Sequence, residues 1–84
     1  MPPRRLSERA AIIHEAARGT ITWEEADRLA HALEIELPTR ISQHLGWSLV
    51  DVRSFSLQSL RDLVTDPQLR AAIDQVIRTG RYLT

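Results

Sequence analysis

The chain has 84 residues, which is the size of one small domain. It contains no cysteine, so disulfide bonds and thiolate metal sites are excluded as sources of stability. Hydrophobic residues make up 43% of the chain and charged residues 26%, a balance typical of a globular rather than a disordered protein. The formal net charge is zero, which argues against a strongly basic nucleic-acid binder.

Targeting and membrane signals are missing from the sequence. No apolar run approaches the ~18 residues that a membrane span requires, and no apolar signal core follows the basic start at Arg4 and Arg5. We therefore expect no membrane association and a cytoplasmic location, with which the lack of cysteine agrees. A chain this short buries only ~60–65% of the surface that its unfolded form exposes. Because its stability is marginal, we expect it to be supported by homodimer formation.

Charge is distributed unevenly along the chain, and every basic residue is an arginine. Residues 1–20 carry a net charge of +2, residues 21–38 carry −4, and residues 39–61 carry +2. The carboxylates of Glu24, Glu25 and Asp27 suit the first turn of a helix, where the helix dipole favours negative charge. The acidic segment 24–36 is also a candidate surface for a basic protein partner.

The first predicted element is a helix that follows a short arm. Residues 1–6 are expected to form a flexible arm, and residues 7–84 a single helical domain. The helix runs from Ser7, a favourable N-cap, to Arg18, just before a glycine that ends it. Apolar residues recur along it at helical spacing, and they predict its buried stripe: Leu6, Ala10, Ile13 and Ala17.

The second helix has a clear start and an expected break. Thr22 and Glu25 form a capping box, and the apolar face that follows begins at Trp23, which we interpret as a packing residue. The helix is expected to fade near Glu34, because the residue before Pro38 is pushed out of the α region. A short third helix is predicted over about residues 39–45.

The last part of the chain contains two further marked starts. Ser48 is a predicted N-cap, but the serines that follow leave two alternatives open: one helix to Val64, or two shorter helices. The final helix has Asp66 as its N-cap, Pro67 in its first position and Gly80 as its terminator. The sequence therefore predicts an all-α fold, a compact single-domain bundle of five or six short helices.

Residues 40–57 carry the main indication of function. Gly46 lies where a tight turn between two helices needs a glycine, Ser42 is small where the helices approach, and Ser48 caps the second helix. Apolar residues occupy the positions between them that such a unit buries: Ile41, Leu45, Trp47, Val52 and Phe55. This segment resembles the helix-turn-helix of small bacterial and phage transcription regulators.

The resemblance implies a small DNA-binding repressor whose second helix reads the major groove of double-stranded DNA. The positions that it assigns to base reading are Ser48, Leu49, Val50, Arg53 and Ser54. The positions on the preceding protein helix that would touch DNA phosphates are Arg40, Gln43 and His44. Arg4 and Arg5 would form a minor-groove arm. The last helix would be a possible dimer contact.

The sequence departs from this pattern at the reading helix. Leu49 and Val50 are apolar, and Asp51 would face a field of phosphates. Exposed apolar residues in a cluster indicate a protein partner instead. The alternative is therefore a non-enzymatic protein-interaction module: an adaptor, a phage- or plasmid-encoded inhibitor of the anti-CRISPR kind, or a bundle like a death fold.

Enzymatic chemistry is not expected. The three histidines, His14, His31 and His44, do not share a spacing typical of metal ligands. Nothing in the sequence places a serine, a histidine and a carboxylate together, and there is no glycine-rich phosphate loop. We therefore expect no catalytic residue, no metal and no cofactor.

Overall fold

The structure is a computed structural model that describes residues 8–83. This part of the chain is helical and contains no strand, which confirms the predicted all-α single-domain bundle. In chain order its elements are α1 (Glu8–Ala17), α2 (Trp23–His31), a π-helical segment (Ala32–Glu36), α3 (Leu37–Leu45), α4 (Leu49–Arg53), α5 (Leu57–Leu63) and α6 (Pro67–Thr79). The arm over 1–6 and the N-cap at Ser7 lie outside the described residues.

Four helices begin at a side-chain oxygen that accepts a hydrogen bond from the amide three residues later. The caps and their distances are Thr22 at 3.1 Å, Ser48 at 3.2 Å, Ser56 at 3.2 Å and Asp66 at 2.8 Å. These bonds confirm the starts that were predicted at Thr22, Ser48 and Asp66. The cap at Ser56 decides the alternative left open after Ser48, because it starts α5 as a second short helix.

The break expected before Pro38 is absent, and that prediction is wrong. Residues 23–45 form one continuous helical stretch, in which the π-helical segment joins α2 to α3. The amide of Leu37 donates to the carbonyl of Ala32, five residues earlier. This wider turn relieves the clash that a proline ring makes with the carbonyl four residues before it, so the helix continues through the proline.

Two groups of buried side chains hold the bundle together. The larger one joins α3, α4, α5 and α6, and it consists of Ala32, Leu37, Ile41, Val52, Leu60, Val64, Leu69, Ile73, Val76 and Tyr82. The smaller one lies between α1 and α2 and consists of Ile12, Ala16 and Ala26. Leu33 packs against both groups, so the first two helices are attached to the rest through the middle of the long helical stretch.

Two predictions about packing residues need correction. In α1 the buried residues are Ile12 and Ala16, while Ile13 and Ala17 are exposed, so the true stripe lies one position before the predicted one. Trp23 is not a packing residue, because 57% of its surface is exposed at the start of α2. In α1 the apolar residues 10–13 are adjacent, and helical spacing alone cannot choose between neighbouring stripes.

Candidate functional site

The turn between α3 and α4 is built around Gly46. Gly46 adopts a left-handed conformation with φ of 69°. The amides of Gly46 and Trp47 both donate to the carbonyl of Ser42, at 2.9 and 3.1 Å, and the Ser42 hydroxyl donates back to the carbonyl of Trp47. The two helices are thus joined by a tight, hydrogen-bonded turn.

The helix that would read bases is very short. With five residues, α4 is about 7.5 Å long, little more than one turn. The hydroxyl of Ser48 accepts from the Asp51 amide, and that of Ser54 donates to the carbonyl of Val50 at 2.8 Å. Both serines among the predicted base readers are therefore hydrogen-bonded to the backbone of α4.

Arg53, the strongest predicted base reader, has a partner inside the chain. Its Nη2 atom donates to the carbonyl oxygen of Glu34 at 2.8 Å. Pro38 has no amide hydrogen, so this carbonyl, four residues earlier, lacks the partner that a regular helix would supply. Arg53 therefore supplies this carbonyl with a donor in place of the missing Pro38 amide, and the bond connects α4 to the π-helical segment.

Two of the three α3 residues predicted to touch phosphates form side-chain hydrogen bonds within the described part of the chain, and the third forms none. The Arg40 guanidinium donates through Nη1 to the hydroxyl of the buried Tyr82 and lies 5.8 Å from the centre of its ring. The Nε2 atom of His44 accepts the backbone amide of Thr65 at 3.1 Å. Gln43 is exposed and makes no side-chain hydrogen bond to the described residues. Arg4 and Arg5 lie outside the described residues.

The arginine side chains of residues 39–61 donate hydrogen bonds within the bundle, although only Arg61 is paired with carboxylates among the described residues. Arg61, the third arginine of this segment, donates to Asp74 and lies 3.6 Å from the carboxylate of Asp62. The hydrogen bond and charge of Asp74 raise the pKa of Arg61 above its ordinary value. Arg40, Arg53 and Arg61 thus all donate to groups of the same chain, which leaves fewer free donors for a phosphate backbone.

Three exposed apolar side chains and the half-buried Trp47 lie in α4 and in the turns on either side of it. We call Trp47, Leu49, Val50 and Phe55 the apolar ridge. Val50 is 75% exposed, Phe55 45% and Leu49 37%. The rings of Trp47 and Phe55 pack against each other, with their centres 4.9 Å apart and their planes tilted by 50°. Phe55 was expected to be buried, but α4 ends at Arg53 and the turn that follows carries the ring to the surface.

The apolar ridge adjoins a groove with a volume of about 420 Å³, and Phe55 belongs to both. The groove is lined by apolar residues of the π-helical segment and of α3, α4 and α5, namely Leu33, Leu37, Ile41, Val52, Leu57 and Leu60. Its charged lining residues are Glu8, Arg9, Glu34 and Arg53, and Arg9 pairs with Glu34 at 3.2 Å. Sequence periodicity did not indicate this groove, because it forms between separate helices whose relative positions are set only in the folded chain.

Residues 8–83 hold no group of three or more histidine, aspartate or glutamate side chains arranged to bind a metal ion. In the same range, no helix has the length and apolar content needed to cross a membrane. Comparison with protein-family models, with curated proteins and with solved structures finds no match to this chain.

Proposed function

We propose that this chain is a non-enzymatic protein-interaction module that binds a partner protein through the apolar ridge and the adjoining groove. The observation that carries the proposal is the exposure of three apolar side chains between positions 49 and 55, with Val50 at 75%, Phe55 at 45% and Leu49 at 37%. A contiguous exposed apolar cluster with a polar rim is typical of a protein interface. Aromatic side chains are enriched in the centre of such interfaces.

The ridge offers enough apolar surface to contribute strongly to binding. Complete burial of a valine, leucine or phenylalanine side chain is worth about 1.5–3 kcal/mol. Scaled by the fractions now exposed at Leu49, Val50 and Phe55, burial against a partner would contribute roughly 2–5 kcal/mol. This is the contribution expected of a small group of dominant interface residues.

The shape and charge of the groove favour an amphipathic helix as the bound element. Its apolar lining would receive the apolar side chains of such a helix. Its charged rim carries two acidic and two basic side chains, which suits a partner helix with mixed charges beside its apolar face.

A matched pair of variants tests this function. Val50→Asp places a charge at the centre of the ridge, and Gln58→Asp places the same charge at an exposed position of α5. Tagged chains would be recovered from the cells that naturally produce the protein, after nuclease treatment. We expect a partner protein to be recovered with the parent chain and with Gln58→Asp, and to be lost with Val50→Asp. Equal recovery with all three chains would contradict the proposal.

The second candidate is the small DNA-binding repressor implied by the resemblance. It is favoured by the hydrogen-bonded turn at Gly46 between two packed helices and by the free, exposed Gln43 on the first of them. A gel-shift titration with genomic fragments at low salt tests it, with Gln43→Ala as the variant. A saturable shift that weakens in the variant would support DNA binding, and no shift at micromolar protein would remove this candidate.

A further inference from the structure

A second candidate surface lies where α3, α6 and the C-terminal segment meet. It is a shallow pocket of about 500 Å³, and none of the apolar-ridge residues lines it. We call it the arginine pocket. The lining side chains that matter to its chemistry are Arg40, Gln68, Gln75, Arg78, Tyr82 and Leu83. It therefore combines two guanidinium groups, two amides and an apolar side chain.

The two arginines of the pocket differ in how they are held. The Arg40 guanidinium is oriented by the hydroxyl of Tyr82, whose ring is buried in the core and is therefore fixed. Arg78, in the last turn of α6, makes no hydrogen bond or ion pair with the described residues. Leu83 beside them is 58% exposed. The pocket thus offers a positioned cation, a free cation and an apolar contact.

A surface of the opposite character lies at the start of α2. We call Trp23, Glu24, Glu25 and Asp27 the Trp23 edge. Trp23 is 57% exposed, and the three carboxylates beside it form no ion pair with the described residues. The cap from Thr22 to the Glu25 amide, at 3.1 Å, fixes this first turn of the helix.

We propose that the arginine pocket binds the Trp23 edge of a second copy of this chain. The two surfaces are complementary in charge: among residues 8–83, Arg40 and Arg78 pair with no carboxylate, and the carboxylates of the Trp23 edge pair with no cation. Each surface also has an exposed apolar anchor, so both polar and apolar contacts would be made. Tryptophan and arginine are the residues that most often dominate interfaces.

This inference extends the proposed interaction function to self-association, but it uses a different surface from the apolar ridge. Because every copy carries both the pocket and the edge, each molecule is able to donate one and accept the other. Such pairing of two different patches generates either reciprocal dimers or head-to-tail assemblies.

Charge reversal at each surface tests the pairing. Sedimentation velocity would be measured from micromolar to millimolar protein, at low and at high salt. We expect the parent chain to associate more strongly at low salt, and Arg78→Glu or Glu25→Arg alone to weaken association about tenfold or more. An equimolar mixture of the two variants should recover association, because each supplies the surface that the other lacks. Circular dichroism would establish that both variants are folded.

Arg70→Glu is the matched control, since it changes the same charge on α6 outside the pocket. A parent chain that stays monomeric would overturn the inference, as would two variants that behave like Arg70→Glu or a mixture that does not recover association. The proposed function is tested separately by Val50→Asp. Self-association without a Val50-dependent partner would overturn only that function, and a Val50-dependent partner on a monomeric chain would overturn only this inference.

Discussion

Replacing Arg53 by alanine should destabilise the fold through a carbonyl group in another helix. The side chain donates to the carbonyl of Glu34 at 2.8 Å, and Pro38, four residues after Glu34, lacks the amide hydrogen that a regular α-helix would donate to that carbonyl. In Arg53→Ala the carbonyl would be left to water, and α4 would lose its polar connection to the long helical stretch.

The expected loss in the free energy of unfolding depends on the kind of hydrogen bond that is removed and on how exposed its two partners are to solvent. A hydrogen bond to a charged group contributes about 1.5–3 kcal/mol when it is shielded. Because Arg53 and Glu34 are both exposed, solvent replaces part of the interaction, and we expect a loss of about 1 kcal/mol in the free energy of unfolding. In a domain of this size that corresponds to a fall of about 4–8 °C in Tm.

A double-mutant cycle with Pro38→Ala separates this bond from other effects of the arginine. In Pro38→Ala the new amide at position 38 is able to donate a hydrogen bond to the Glu34 carbonyl. Arg53→Ala should therefore lower the free energy of unfolding much less in the Pro38→Ala background than in the parent chain. We expect a coupling free energy of about 1 kcal/mol from denaturant unfolding of the four chains. Arg28→Ala, at an exposed arginine of α2, is the control. A coupling within about 0.3 kcal/mol of zero would refute the reasoning.

Three further substitutions test the local contacts by denaturant unfolding. Gly46→Ala should lower the free energy of unfolding by about 1–2 kcal/mol, because φ at this position is 69°. No atom lies within 4 Å of the added methyl group, so the loss comes from the backbone conformation alone. An unchanged free energy of unfolding would contradict the left-handed turn. Ser56→Ala should cost about 1 kcal/mol and reduce helical circular dichroism, whereas an unchanged signal would show that α5 needs no cap. His44→Ala should lower the free energy of unfolding by about 1 kcal/mol, because the Thr65 amide loses its acceptor. The control Gln43→Ala should lower it by less than about 0.5 kcal/mol. Equal losses in the two variants would count against the hydrogen bond between Thr65 and His44.

The ends of the helices were predictable because they are set by local chemistry. A cap needs a side-chain oxygen and an amide three residues away, as at Thr22, Ser48 and Asp66. The left-handed turns at Gly46 and Gly80 need a residue without a Cβ atom. Sequence alone is sufficient for such features, since both partners lie within one turn of the chain.

Features that depend on contacts between distant residues could not be predicted in this way. Proline chemistry predicted a break before Pro38, but the helix continues through a π-helical turn, so that prediction is wrong. The partner of Arg53 lies 19 residues earlier in the chain, so no local pattern reveals it. The exposure of Leu49 and Val50 was expected from the resemblance, whereas that of Phe55 depends on where α4 ends.

The most direct test of the interaction role is site-specific photo-crosslinking at Val50. A photoreactive amino acid would replace Val50 in one chain and Gln58 in a control chain, and both would be irradiated in the cells that naturally produce the protein. We expect a covalent adduct with a polypeptide at position 50 that is absent at position 58. An adduct with nucleic acid at position 50, or no adduct there beyond the control, would contradict the proposal that the apolar ridge binds a protein.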